Sequence, residues 1–222
     1  MPGKLQKFDE VNSFPNCFHL SYFQKDEGLT LRGKWGTEFF FNTHPIVLEV
    51  GCGRGEYTIG LAKKNPDKNF IGIDIKGARI WDGAKSAIKS ELKNVAFIRT
   101  RIEFVEHCFT QNEIDEIWIT FPDPQPQKSR ERKRLTNFLF LKRYMKFLKP
   151  RGLIHLKTDN TGMYEYSLES MRSFGLSELF STDDLYANPP QERLELLEIK
   201  TYYEKLFSEK GEKIKYCLFQ HI

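Results

Sequence analysis

The chain has 222 residues, 40% hydrophobic, 29% charged and 14% aromatic, which describes one globular domain with at most a modest appendage and excludes wholesale disorder. Lys and Arg number 34 against 30 Asp and Glu, so the formal net charge of +4 is only mildly basic and by itself names no partner. No stretch approaches the roughly 20 apolar residues that cross a bilayer, and the run from Met1 to Lys7 lacks an apolar leader core, so a cytoplasmic protein that does not contact membranes is expected.

The four cysteines (Cys17, Cys52, Cys108, Cys217) and five histidines are scattered without C-x-x-C or H-E-x-x-H spacing. Reduced thiols and no metal site are the expectation.

Residues 1–41 show no clear period but carry many aromatics beside lysines, and they read as a mobile arm or a flap packed on the body. From residue 42 to 222 a single domain follows. Apolar, β-branched runs predict strands over 46–50, 69–75, 95–100, 116–121 and 153–158, alternating with helical periods over 56–64, 78–92, 102–109, 137–148 and 163–173. That alternation predicts an α/β fold with a doubly wound, Rossmann-like, mostly parallel sheet, whose ligands bind beyond the carboxyl ends of the strands. Past Phe174 the rhythm changes to a short run over 177–182, a loop holding Asn188-Pro189-Pro190, a helix over about 201–210 and an antiparallel C-terminal strand over 213–219.

The first strand runs into Glu49-Val50-Gly51-Cys52-Gly53-Arg54-Gly55, and a helix follows. Glycines at alternate positions allow a tight turn whose backbone approaches a ligand at a helix N-terminus, although a tight turn without a ligand has the same composition. The spacing is G-x-G-x-G, an acid (Glu49) precedes it, and a second acid, Asp74, closes the second strand. A carboxylate there can accept both hydroxyls of a ribose; the alternative is a surface acid or a cap before Gly77. At these residues the chain resembles class I S-adenosylmethionine methyltransferases, and the resemblance implies S-adenosyl-L-methionine as cofactor and S-adenosyl-L-homocysteine as its product.

The fourth strand ends in Phe121-Pro122-Asp123-Pro124, and Lys128-Ser129-Arg130-Glu131-Arg132-Lys133-Arg134-Leu135 follows. In a doubly wound sheet that strand end lies beside the cofactor, which directs Asp123 to the reaction centre; an ordinary Asp-Pro turn is the alternative. Residues 128–134 hold five basic side chains and one acid, the whole net charge of the chain, and the remainder sums to zero. A charge run is commonly a solvated face, but one that follows directly on an active-site loop suits phosphate capture.

F-P-D-P followed by K-x-R-x-R-K-R-L resembles the tRNA (guanine-N7-)-methyltransferase family, bacterial TrmB type. The resemblance extends from Gly33-Lys34-Trp35 through Glu49 to Gly55 and Lys157-Thr158-Asp159-Asn160 to Thr201-Tyr202-Tyr203-Glu204. It implies that tRNA is the partner and that the product is 7-methylguanosine in the variable loop, position 46 in standard tRNA numbering. It further implies Asp123 as catalytic residue, Glu49, Gly51, Gly53, Asp74, Arg101 and Asp123 around the cofactor, and Gln127, Lys128, Arg130, Arg132, Asp159, Thr201 and Glu204 on the substrate. A Glu carboxylate matches the N1-H and N2-H donors of guanine, leaving N7 turned toward the methyl donor. Thr201 with Glu204 also reads as a helix capping box, and Asp159 as an N-cap for the helix that follows.

The chain departs from the family pattern in two places. Arg101 stands where an acid usually contacts the adenine, and Gln125 and Gln127 replace an aromatic and a cation, so Lys128 takes the phosphate contact. Neutral guanine N7 has a free lone pair and no proton, so methyl transfer needs no general base. Asp123 would orient the base and stabilise the cation that forms. Two alternatives stay open: a methyltransferase acting on a small molecule or protein, and a non-catalytic tRNA-binding protein with a methyltransferase fold. A monomer is the default state and a homodimer the alternative.

Overall fold

In the computed structural model, which describes residues 2–222, every predicted strand joins one eight-stranded sheet. Its strands are β1 (Cys17–His19), β2 (Ile46–Val50), β3 (Asn69–Asp74), β4 (Val95–Arg99), β5 (Ile114–Thr120), β6 (Leu148–Thr158), β7 (Ser177–Thr182) and β8 (Lys215–Gln220). The order is β1-β4-β3-β2-β5-β6-β8-β7; all pairings up to β6 are parallel, and β8 runs antiparallel between β6 and β7.

Successive residues of the central strands point to opposite faces, and the core divides accordingly. Leu48, Ile71, Ile98 and Ile117 pack on one side with Tyr144 and Met171, from α4 (Phe138–Tyr144) and α5 (Thr161–Phe174). Val47, Phe70, Phe97 and Trp118 pack on the other with Leu61 and Ile80, from α2 (Glu56–Lys64) and α3 (Gly77–Lys89). Continuous apolar runs such as Ile46-Val47-Leu48 are therefore what a strand covered on both faces requires. His155 stitches the C-terminal strands together: its ring stacks on Trp118 at 3.8 Å between centroids, and its Nδ1 is 2.9 Å from the Tyr216 hydroxyl.

Three departures from the sequence expectation have local causes. The helix expected over 102–109 is a 3-10 helix, Ile102–His107. The helix expected over 137–148 stops at Tyr144, because β6 begins at Leu148, before Pro150 and the left-handed Arg151 (φ 64°). Residues 2–41 hold α1 (Lys4–Glu10), β1 and a π-helix, Trp35–Phe40. Lys7 pairs with Asp82 on α3, the Trp81 indole N-H donates to Glu10 at 2.8 Å, and Arg99 lies 3.7 Å over the Phe8 ring. Trp35 is wholly buried, with its indole N-H on the Cys108 carbonyl at 3.1 Å.

Between β5 and β7 the chain also forms a 3-10 helix, Lys128–Lys133, and ahead of β8 lie α6 (Glu195–Glu198) and α7 (Tyr202–Glu209). Among the described residues no helix is long and apolar enough to cross a membrane. The chain winds outward from β2 through β3 to β4 and then crosses back to β5 on the other side of β2, so the crevice of this sheet opens beyond the carboxyl ends of β2 and β5.

Candidate active site

Glu49 lies within that crevice on β2, buried against α2. Its Oε2 accepts from the Thr58 amide (2.8 Å) and from the Thr58 hydroxyl, and its Oε1 from the Thr120 hydroxyl at 2.5 Å. Burial pushes its carboxyl up to about 7, against the opposing effect of those hydrogen bonds.

The turn that follows has left-handed glycines at Gly51 (φ 76°), Gly53 (φ 57°) and Gly55 (φ 68°). Gly55 has a second constraint, since a Cβ there would come within 2.5 Å of the Phe97 ring. At Gly53 a Cβ would meet nothing within 4 Å, so this part of the turn borders open space.

Asp74 holds this turn in shape. Its Oδ2 accepts from the Gly53 amide at 3.0 Å and its Oδ1 from the Lys76 amide at 2.8 Å. The cap role and proximity to the cofactor loop therefore coexist, and each oxygen retains a further lone pair.

A cavity of about 140 Å³ is lined by Glu49, Gly51, Gly53, Arg54, Thr120, Phe121 and the Thr201–Tyr203 edge. This is smaller than the roughly 300 Å³ of pockets that enclose a whole small molecule, so it suits one end of a ligand lying across the turn. Residues from β2, β5 and the start of α7 thus meet in one place. The turn, the two acids and the clear space at Gly53 fit the methionine and ribose parts of S-adenosylmethionine. Arg101 stands apart from this cavity at the end of β4, where its exposed guanidinium is 3.4 Å from Glu103.

Asp123 is exposed on the loop after β5, and its Oδ1 accepts from the Gln125 amide at 3.1 Å. The loop is strained on both sides of it, with Phe121 at φ 46° and Gln125 at φ 44°. Lys157 and Arg134 hold it there. The Phe121 amide donates to the Lys157 carbonyl at 2.7 Å, and Arg134 donates to the carbonyls of Pro124 (3.1 Å) and Gln125 (3.2 Å) while stacking 4.3 Å over Tyr166. Arg134 is therefore a clamp on the Asp123 loop and not one of the solvent-facing cations. Gln127 stands at the N-cap position, without a side-chain bond, of the 3-10 helix that presents Lys128, Arg130 and Arg132, all three exposed.

Asp159 follows β6, half-buried, and burial raises its carboxyl above the usual range. It does not cap α5. Asn160 does so, accepting from the Met163 amide at 2.8 Å, since its side chain sits one residue closer to the first turn.

Thr201 caps α7, accepting from the Glu204 amide at 3.2 Å, but the reciprocal half of a capping box is missing. The Glu204 carboxylate turns inward instead. Its Oε1 is 2.8 Å from Lys157 Nζ and receives the Tyr186 hydroxyl at 2.6 Å, with Glu204 and Lys157 both fully buried. Thr58, Thr120 and Tyr186 carry no signal in the sequence, and Arg134 and Lys157 stand in motifs that do not disclose their contacts, because each acts through a partner outside its own motif.

A family model described as a putative methyltransferase matches residues 43–217. The tRNA (guanine-N(7)-)-methyltransferase of Christiangramia forsetii is 50% identical over 219 residues, covering 98% of this chain and 97% of that protein. The protein of the same name from Bacteroides thetaiotaomicron is 49% identical, over 98% of this chain and 85% of that one. The chain belongs to the tRNA (guanine-N(7)-)-methyltransferase family. Two solved structures share its fold at low identity. An antibiotic-related methyltransferase has a TM-score of 0.61 at 20% identity, covering 91% of this chain and 95% of that one. The 16S rRNA methyltransferase KamB has the same score at 14% identity, covering 91% and 94%. In this chain the sheet has an antiparallel strand, β8, beside β6, and the short strand β1 forms its far edge.

Proposed function

We propose that this methyltransferase moves a methyl group from S-adenosylmethionine to N7 of a guanosine in the variable loop of tRNA, in the cytoplasm. The observation that carries this reading is the Gly51–Gly55 turn, tied by Asp74 and opening on a cavity shared with Thr201–Tyr203. Family membership supplies the substrate class.

Glu49, Gly51, Gly53 and Asp74 hold the cofactor, Arg101 flanks its adenine end, and Asp123 faces its reacting end. When bound, the cofactor supplies a methyl group on a sulfonium. The N7 lone pair forms the new C-N bond as the C-S bond breaks, so positive charge passes from sulfur to the guanine ring and no proton moves. Asp123 orients the ring and offsets that charge. Lys128, Arg130 and Arg132 grip phosphates beside Gln127, and Asp159, Thr201 and Glu204 hold the base.

Purified protein incubated with labelled S-adenosylmethionine and tRNA lacking 7-methylguanosine tests this directly. Nucleoside analysis is expected to find the label in 7-methylguanosine from the variable loop. Cofactor binding without any methylated guanosine would instead support the non-catalytic tRNA-binding alternative.

A further inference from the structure

Glu204 is fully buried, and its two carboxylate oxygens are treated differently. Oε1 takes two donors, the Lys157 ammonium at 2.8 Å and the Tyr186 hydroxyl at 2.6 Å. Oε2 is buried and has no hydrogen-bond partner among the described residues. Buried carboxylates that serve only to fasten a segment spend both oxygens, because an unpartnered one carries its full desolvation cost.

Lys157 is fully buried as well, and its remaining protons go to the carbonyls of Leu196 (2.7 Å) and Ile199 (3.5 Å). All three ammonium donors are thus committed, and the amine is fixed at the carboxyl end of β6. Tyr186 approaches from the loop after β7 and is partly exposed. Breaking a fully buried ion pair at one partner leaves an uncompensated buried charge, so this geometry is held firmly.

We propose that Lys157 and Tyr186 are positioning residues for Glu204, fixing Oε1 from two sides so that Oε2 is left as the acceptor for the N2 amino group of the target guanine. The inference rests on the reading that Glu204 recognises guanine. It makes guanine selectivity a property of three residues from separate parts of the chain. Thr201, which caps the same helix, lines the cavity, while Tyr202 is tied to α2 by its amide on Glu56 at 3.0 Å. Glu204 itself has no accessible surface, and the cavity reaches this turn at Thr201, Tyr202 and Tyr203, so that is the side from which the base edge comes to Oε2.

The test compares two tRNA transcripts, one with guanosine and one with inosine at the methylated position. Inosine keeps N7 and N1-H and lacks only the N2 amino group. The full-length wild type is expected to lose about tenfold or more in kcat/KM on inosine, as a hydrogen bond to a charged group is removed. Tyr186→Phe is expected to shrink that preference by about threefold or more with unchanged cofactor Kd, and Lys157→Met to shrink it further.

A Tyr186→Phe enzyme that slows equally on both transcripts, or on neither, overturns the proposal, since a merely structural contact does not alter the ratio. If Lys157→Met does not fold, Tyr186→Phe decides alone. Glu204→Gln separates the two levels. Should it collapse the preference while Tyr186→Phe and Lys157→Met retain it, positioning fails and guanine recognition by Glu204 stands. Should it leave the preference intact, both fall.

Discussion

Two carboxyl groups of the site have opposite surroundings, and their chemistry follows. Asp123 is solvent-facing on a loop bracketed by the left-handed residues Phe121 and Gln125. Such strain costs on the order of 1–3 kcal/mol per residue and persists where neighbouring bonds enforce it, which here are those of Lys157 and Arg134. Asp123→Ala should lower kcat by about 100-fold while changing tRNA Kd less than twofold, because its charge is used as the ring becomes cationic. Single-turnover rates and filter binding measure the two separately, and an unaltered kcat would remove Asp123 from the reaction. Glu49 is the reverse case, a carboxyl raised by burial to about 7 from its ordinary 4.5. The folded state therefore binds the proton more tightly than the unfolded chain does. The resulting stability is fully present below about pH 4.5 and declines as pH rises to 7, by about 3 kcal/mol in all. Wild type should lose that much relative to Glu49→Gln across this window when chemical unfolding is followed as a function of pH; parallel curves would contradict it.

At the scale of elements, the basic run divides by partner. Arg134 is spent on the carbonyls of Pro124 and Gln125, whereas Lys128, Arg130 and Arg132 face solvent from the 3-10 helix. Arg130→Ala and Arg132→Ala should each flatten the slope of log Kd against log salt by about one unit. Arg134→Ala should leave that slope unchanged and lower kcat, since the loop carrying Asp123 loses its clamp. The combination distinguishes phosphate contact from loop support, and a slope indifferent to Arg130 would return the run to a solvated face. The composition of 128–134 was legible as a cluster of charge; which cation turns inward was not, because that depends on Tyr166 and two backbone carbonyls. Likewise the T-x-x-E spacing gave the cap at Thr201 correctly, but Lys157 and Tyr186, the partners of Glu204, come from β6 and the loop after β7.

For the whole molecule, the doubly wound core was readable because strands covered on both faces need continuous apolar runs, and the intervening helices show their own period. The first 41 residues were not, since α1 has no buried residue of its own and a π-helix leaves no periodic signature. What orders the segment is tertiary: the partners of Lys7, Glu10 and Phe8 are Asp82, Trp81 and Arg99. Removing residues 1–13 should lower Tm by roughly 4–8 °C, as loss of buried contacts worth about 2 kcal/mol does in a chain of this size. Calorimetry showing an unchanged Tm would mean that these contacts contribute nothing to the fold.

The two margins of the sheet have a bearing on how the protein behaves in a crowded cell. On one side β1 offers only three residues, and on the other the register of β7 breaks between Glu178 and Phe180, beside the Arg172–Glu178 pair. A foreign strand finds a short ledge at one margin and an irregular, charged one at the other. Neither is a good template for adding strands from a second chain, so a sheet of eight strands built mostly from apolar residues is guarded against growing into an aggregate.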